Sequence, residues 1–201
     1  QEYWRGGTNG VTVDLDAGTA TDAFGDTDTL ININSVRATN QADTLTGRDY
    51  TLESFHGLAG DDVIDGGLGG DQVDYRWDGA YGGTGDVTVD LAAGTAIDGF
   101  GDSDTLIDID RVRGGIGDDT LLGDGGANVL DGQLGNDTLD GRGGSDTFLY
   151  GNDGGIDTLI GGAGARDLVY FGSFDSAVWI DLSYSGSYQA FTRGGTDLSS
   201  G

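Results

Sequence analysis

The residues with the greatest capacity for chemistry in this chain are aspartates, and they recur at one place in a nine-residue pattern. In Gly66-Gly67-Leu68-Gly69-Gly70-Asp71-Gln72-Val73-Asp74 and Gly114-Gly115-Ile116-Gly117-Asp118-Asp119-Thr120-Leu121-Leu122 the sixth residue is Asp, the eighth is apolar and glycines fill the turn. Carboxylates and backbone carbonyls are hard oxygen donors. Calcium takes roughly six to eight of them at about 2.3–2.6 Å. If two nonapeptides complete one coil, a turn meets the turn 18 residues later on the same edge. That spacing pairs Asp119 with Asp137, Asn128 with Asp146, Asp43 with Asp62 and Glu53 with Asp71, and Asp137 with Asp157 if a two-residue slip is absorbed locally. Turn carbonyls complete the expected shells, from Gly57, Ala59, Gly67, Gly69, Gly114, Ile116, Gly117, Gly126, Gly132, Leu134, Gly135 and Gly144. Several Ca2+ ions are expected. An isolated Asp-Gly reads more simply as a turn residue bonding its own backbone; stacked sixth-position acids favour the cation.

Such sites need elements that stack. Six residues turn and three extend, and in the extended triplet the middle side chain faces opposite to its neighbours. The middle residue is the apolar eighth: Leu45, Phe55, Ile64, Val73, Leu121, Leu130, Leu139, Phe148 and Leu159. Successive coils then stack as parallel strands about 4.8 Å apart around a thin apolar core. The first run comprises copies at 38–46, 48–56, 57–65 and 66–74, with Glu53 in one acidic slot. The second comprises 114–122, 123–131, 132–140 and 141–149, then 152–160, and a distorted copy at 161–170 with Arg166 in or beside the slot and Asp167 next to it. Glu53 is a methylene too long and Arg166 has the wrong sign, so ordering is expected to be strongest over 114–149.

Between the runs lie arms. Residues 11–37 and 87–113 match at 20 of 27 positions, and both open Val-Thr-Val-Asp-Leu. A third start stands at Val178-Trp179-Ile180-Asp181-Leu182, and Gln1-Glu2-Tyr3 resembles a repeat tail. The chain therefore divides into 1–37 (repeat tail and first arm), 38–74 (first run), 75–113 (second arm), 114–170 (second run) and 171–201 (start of a third arm), as expected of a piece of a longer array. Val11, Val13 and Leu15 alternate with Thr12, Asp14 and Asp16, the pattern of a half-buried strand. The fold class expected is all-β: a parallel β-roll or β-helix solenoid of 18-residue coils, interrupted by β-rich spacer arms, with almost no helix.

Composition narrows the partners. The 201 residues carry 35 acids against 9 basic residues, a net charge of −26, with 41 glycines and no proline or cysteine. Such charge repels nucleic acid and anionic membranes and opposes compaction unless cations intervene. No apolar run reaches membrane-spanning length.

Catalytic constellations are not found. His56 is the one histidine and has no evident orienting partner, so a solvated or edge-packed role is expected. There is no His-Glu-x-x-His and no Gly-x-Ser-x-Gly. Paired carboxylates could serve glycoside hydrolysis, but the calcium array already accounts for them. Trp4, Tyr75, Trp77, Tyr81, Tyr170, Phe171 and Trp179 cluster at run–arm junctions, as plugs for the core ends or, alternatively, a sugar-stacking platform. Ile116 and Leu134 are expected on one outer edge. Asp26/Asp28 and Asp102/Asp104 read equally as extra calcium ligands or as solvated loops.

The nonapeptides resemble the RTX (repeats-in-toxin) calcium-binding β-roll, and the arms resemble the Val-x-Val-Asp-Leu spacers of large type I-secreted bacterial proteins. The resemblance implies export and folding outside the cell on meeting calcium, since stacked carboxylates make binding free energy into folding free energy. Repetition of whole cassettes favours a non-enzymatic structural segment of a secreted or cell-surface bacterial protein such as an adhesin, surface-layer or fibre-forming protein, since solenoids extend by adding units. The alternatives are the calcium-folded tail of a secreted enzyme and a carbohydrate-binding module. Expected partners are calcium, neighbouring cassettes or copies of the chain, and a surface glycan, with no nucleic acid and no membrane insertion.

Overall fold

The computed structural model describes residues 9–150, 155–164 and 166–171. Gln1-Glu2-Tyr3, Trp4 and the third arm start at 178–182 lie outside the described residues. Each nonapeptide contributes one short strand, and alternate strands enter opposite sheets. One sheet has eleven strands in the order Thr158–Ile160, Thr138–Asp140, Thr120–Leu122, Thr88–Asp90, Thr95–Ile97, Ser103–Ile107, Val63–Asp65, Thr44–Thr46, Thr12–Asp14, Thr19–Thr21, Thr27–Thr29. The other has seven, in the order Leu168–Phe171, Thr147–Tyr150, Val129–Asp131, Ile109–Arg113, Asp71–Asp74, Ser54–His56, Ser35–Arg37. Nonapeptide strands pair in parallel in the 18-residue register, as in Leu121↔Leu139 and Leu130↔Phe148. The slip before 155 is absorbed, because Leu139 still pairs with Leu159. Among the described residues, helix is confined to one turn, Asp78–Tyr81. The all-β parallel roll expected from the spacing is the fold.

The eighth-position side chains from Leu45 to Phe148 are buried, and Leu159 packs against them partly buried. The arms join this core. Val13, Val36, Val89, Ala96, Leu106 and Val112 belong to the same cluster. Each arm places an antiparallel pair of strand contacts inside the larger sheet: Thr95–Ile97 runs antiparallel to Thr88–Asp90 on one side and to Ser103–Ile107 on the other. The outer two strands of that triplet then pair in parallel with nonapeptide strands, Thr88–Asp90 with Thr120–Leu122 and Ser103–Ile107 with Val63–Asp65. The arm's last strand, Ile109–Arg113, bridges the two runs in the smaller sheet. The solenoid passes through the arm without a break in either sheet.

Around the second arm the junction aromatics do not plug a core end. Tyr75 is buried within the continuous core. Trp77 is exposed, with the guanidinium groups of Arg37 and Arg76 at 5.5 and 5.6 Å from its ring and Arg37 also over Tyr81. The rings of Tyr150 and Phe171 meet at a tilt, their centroids 5.5 Å apart. Because the second arm continues the sheets, Tyr75, Trp77 and Tyr81 stand at an interior position rather than an end, whereas Phe171 belongs to the outermost described strand of the smaller sheet.

Candidate metal centre

The acidic slot is built by the backbone of two coils. Oδ1 of a sixth-position carboxylate accepts the main-chain N–H of the sixth residue one coil back. Asp62 accepts from Asp43 at 2.8 Å, Asp71 from Glu53 at 2.6 Å, Asp137 from Asp119 at 2.8 Å, Asp146 from Asn128 at 2.9 Å and Asp157 from Asp137 at 2.9 Å. The structure thus brings together every pair that the spacing predicts. Asp167, not Arg166, fills the last slot and accepts from Asp146 at 3.1 Å, while Arg166 is exposed.

The second carboxylate oxygen turns back toward the first residue of its own turn. A Cβ on Gly57, Gly114, Gly132, Gly141 or Gly161 would overlap Oδ2 of Asp62, Asp119, Asp137, Asp146 or Asp167. These glycines are required by the side chain they admit. Fourth-position glycines are required by close coil stacking. A Cβ on Gly135 or Gly144, both at positive φ, would overlap the carbonyl oxygen of Gly117 or Gly126 one coil back. The carbonyls of Gly117 and Gly126, expected among the ligands, therefore face the next coil. Ile116 and Leu134 project their side chains outward half-exposed, and Ile116 also packs over Gly79.

The electrostatics call for a cation or for protons. Oδ2 of Asp62, Asp71, Asp137 and Asp146 and Oε2 of Glu53 are buried without a hydrogen-bond partner, and so is Nδ2 of Asn128. Burial, opposed by the backbone N–H bonds and reinforced by neighbouring carboxylates, pushes Asp62 up to about 9, Asp119 to about 7 and Asp137 to about 6. Burial likewise raises Asp71 to about 6 and raises Asp43 and Asp146. A buried anion without a counter-charge is costly, and these oxygens are the hard donors that calcium prefers. Among the described residues no three Asp, Glu, His or Cys side chains converge as a side-chain metal site. An ion in these slots therefore draws part of its shell from turn carbonyls, and the donor set fits calcium on those terms. Glu53 departs from the pattern: Arg48 pairs with its Oε1 at 3.0 Å and supplies part of the counter-charge.

Other expected candidates fall differently. His56 is buried, with Nδ1 3.1 Å from the Asp74 carbonyl, and burial lowers its pKa. Asp26 and Asp28 are exposed, whereas Asp104 is buried and accepts the Asp62 N–H at 3.1 Å. The arm also hides a nonapeptide that its sequence disguises. Gly82-Gly83-Thr84-Gly85-Asp86-Val87-Thr88-Val89-Asp90 has Val at the sixth position. Val87 occupies the slot, and its N–H donates to Asp119 Oδ1 at 2.7 Å as an aspartate's would. The signal was present in its glycines and apolar eighth residue, Val89, but not in the acid.

The model of the RTX calcium-binding nonapeptide repeat matches the chain in four copies, over residues 54–73 and 113–148. Comparison with curated proteins returns no match. The matched stretches lie in the two runs whose turns form the slots described above. Residues 54–73 and 113–148 thus match a nonapeptide repeat that binds calcium ions.

Proposed function

We propose that this chain is a non-enzymatic, calcium-dependent structural segment of a secreted or cell-surface protein of the adhesin, surface-layer or fibre-forming kind, which folds when it meets extracellular calcium. The observation that carries this reading is the ladder of buried carboxylates. Each one holds the neighbouring coil through Oδ1 and, in Asp62, Asp71, Asp137 and Asp146, leaves Oδ2 buried and free. The ions are assigned to Asp43, Asp62, Asp71, Asp119, Asn128, Asp137, Asp146 and Asp157 with turn carbonyls beside them. A segment of this kind is expanded where calcium is scarce and folded where it is abundant, because cation binding and coil stacking are one event. Repetition of the arm-and-run cassette supports an extended structural role, since solenoids grow by adding units.

The test is far-UV circular dichroism during a calcium titration, with magnesium as control. A calcium-specific coil-to-β transition in the sub-millimolar to millimolar range, on the order of extracellular modules, supports the reading. A β-rich spectrum in excess chelator removes its basis. The carbohydrate-binding alternative is not favoured, because two guanidinium groups already lie over the ring of Trp77.

A further inference from the structure

The arm loop 98–104 stacks on the nonapeptide turn 57–62 as though it were the next coil. Asp62 N–H donates to Asp104 Oδ1 at 3.1 Å, the same link that joins consecutive nonapeptide slots. Gly60 N–H donates to Asp102 Oδ2 at 2.8 Å and Ser103 N–H to Asp61 Oδ1 at 2.9 Å. The strands that follow the two turns pair in register, Leu106 with Ile64. Asp98 closes the loop, its Oδ1 accepting Phe100 N–H at 2.9 Å and Asp102 N–H at 2.8 Å.

Four carboxylates are buried here: Asp62, Asp78, Asp98 and Asp104 are each no more than 2% exposed. Asp78 Oδ2 accepts Gly99 N–H at 3.1 Å, and Tyr75 donates its hydroxyl to Asp104 Oδ2 at 3.0 Å. Oδ2 of Asp62 and Oδ2 of Asp98 are buried and have no partner. Among the described residues no arginine pairs with any of the four. Buried carboxylates this close, with no counter-charge from the protein, require a cation or protons.

We propose that the arm loop 98–104, which lies outside the matched repeats, and the turn 57–62 together form a further calcium site, with Oδ2 of Asp98 and Oδ2 of Asp62, the latter shared with its nonapeptide slot, among the ligands. Two side-chain carboxylates, turn carbonyls and water supply the shell, as in the nonapeptide slots. The arm is then a cation-binding coil and not a passive spacer. This inference rests on reading the nonapeptide slots as calcium sites.

The test counts calcium bound to the full chain by equilibrium dialysis and elemental analysis, comparing wild type with Asp98→Asn. That variant keeps the Oδ1 acceptor that closes the loop and removes the charge. One ion fewer per chain, with the calcium-induced β signal retained, is expected. An unchanged count overturns the site. Terbium, a luminescent calcium substitute excited through tyrosine, gives a second readout on the wild-type loop. Tyr75→Phe, which removes the phenol beside Asp104, is expected to lower bound-terbium emission without changing the count; unchanged emission also overturns it. A wild-type chain that binds no calcium anywhere defeats the functional reading itself. Calcium-driven folding with equal counts in wild type and Asp98→Asn defeats the arm site alone.

Discussion

The main-chain N–H of Asp119 donates to Oδ1 of Asp137 one coil on, at 2.8 Å, while Oδ2 of Asp137 stays buried and unpartnered. One carboxylate thus divides its two oxygens between stacking and cation binding, and substitution separates them. Asp137→Asn keeps an oxygen for the Asp119 N–H and removes the charge. It is expected to shift the calcium midpoint upward while making the chelated chain no less ordered. Asp137→Ala also strands the Asp119 N–H, which adds about 1–3 kcal/mol of destabilisation even in saturating calcium. Calcium titrations by circular dichroism, followed by urea unfolding in calcium, distinguish the two. Equal behaviour of both variants would mean that Oδ1 contributes nothing to stacking.

Protons are expected to replace calcium in part. Burial holds Asp62 up to about 9, Asp78, Asp104 and Asp119 up to about 7, and Asp71 and Asp137 up to about 6. An unfolded Asp titrates near about 3.9, so between these values the folded chain binds more protons than the unfolded one. The contribution is complete below about pH 4 and is lost as pH rises through about 6, 7 and 9. In chelator the chain is therefore expected to be expanded at neutral pH and above and to gain β structure as the pH falls toward about 5, and calcium flattens that dependence by stabilising the folded chain with its carboxylates ionised. A β signal in chelator that grows as pH rises would contradict the burial of these groups as acids.

The nonapeptide runs were legible because their determinants are local. The apolar eighth residues mark the core, and acids 18 residues apart mark the slots. The Asp137–Asp157 contact and the choice of Asp167 over Arg166 were also available, since both follow from keeping Leu139, Leu159 and Val169 in the core. The arms were legible as strands but not as coils. Nothing local in Thr95-Ala96-Ile97 says that it runs antiparallel between two strands that continue the roll. The loop 98–104 lacks the usual glycine spacing, so Asp104 could not be aligned with Asp62. Tyr75 and His56 lie beside run–arm junctions, and their burial follows from sheets continuing through residues 75–113.

Apolar positions divide sharply by their place in the repeat. Leu121 is fully buried at an eighth position, and Leu134 is half-exposed at a third. Leu121→Ala opens a cavity in a core one side chain thick and is expected to cost about 2–5 kcal/mol. Leu134→Ala changes stability by about 0.5 kcal/mol or less, as surface substitutions do. Urea unfolding of both variants in saturating calcium checks the contrast. Comparable losses would show that the outer edge of the turn is covered in the folded chain.

Val87 closes a slot that its backbone has already built. Its N–H donates to Asp119 Oδ1 at 2.7 Å, and the N–H of Asp118 donates to Asp86 Oδ1 at 2.9 Å. The nonapeptide pair one coil on has the same frame: Asn136 N–H donates to Asp118 Oδ1 at 2.7 Å. Val87 itself is fully buried, and a Cβ on Gly115 would lie 3.3 Å from its side chain. Val87→Asp places a carboxylate of similar size in this frame beside Asp119. Without calcium it adds a buried like charge, so the variant is expected to need more calcium to fold than wild type. With calcium it completes the slot, and the ion count per chain is expected to rise by one. Val87→Asn, which supplies the polar atoms without the charge, separates the two effects and is expected to leave the count unchanged. If Val87→Asp is equally destabilised with and without calcium and gains no ion, the turn 82–87 shares the backbone of a calcium slot but not its chemistry.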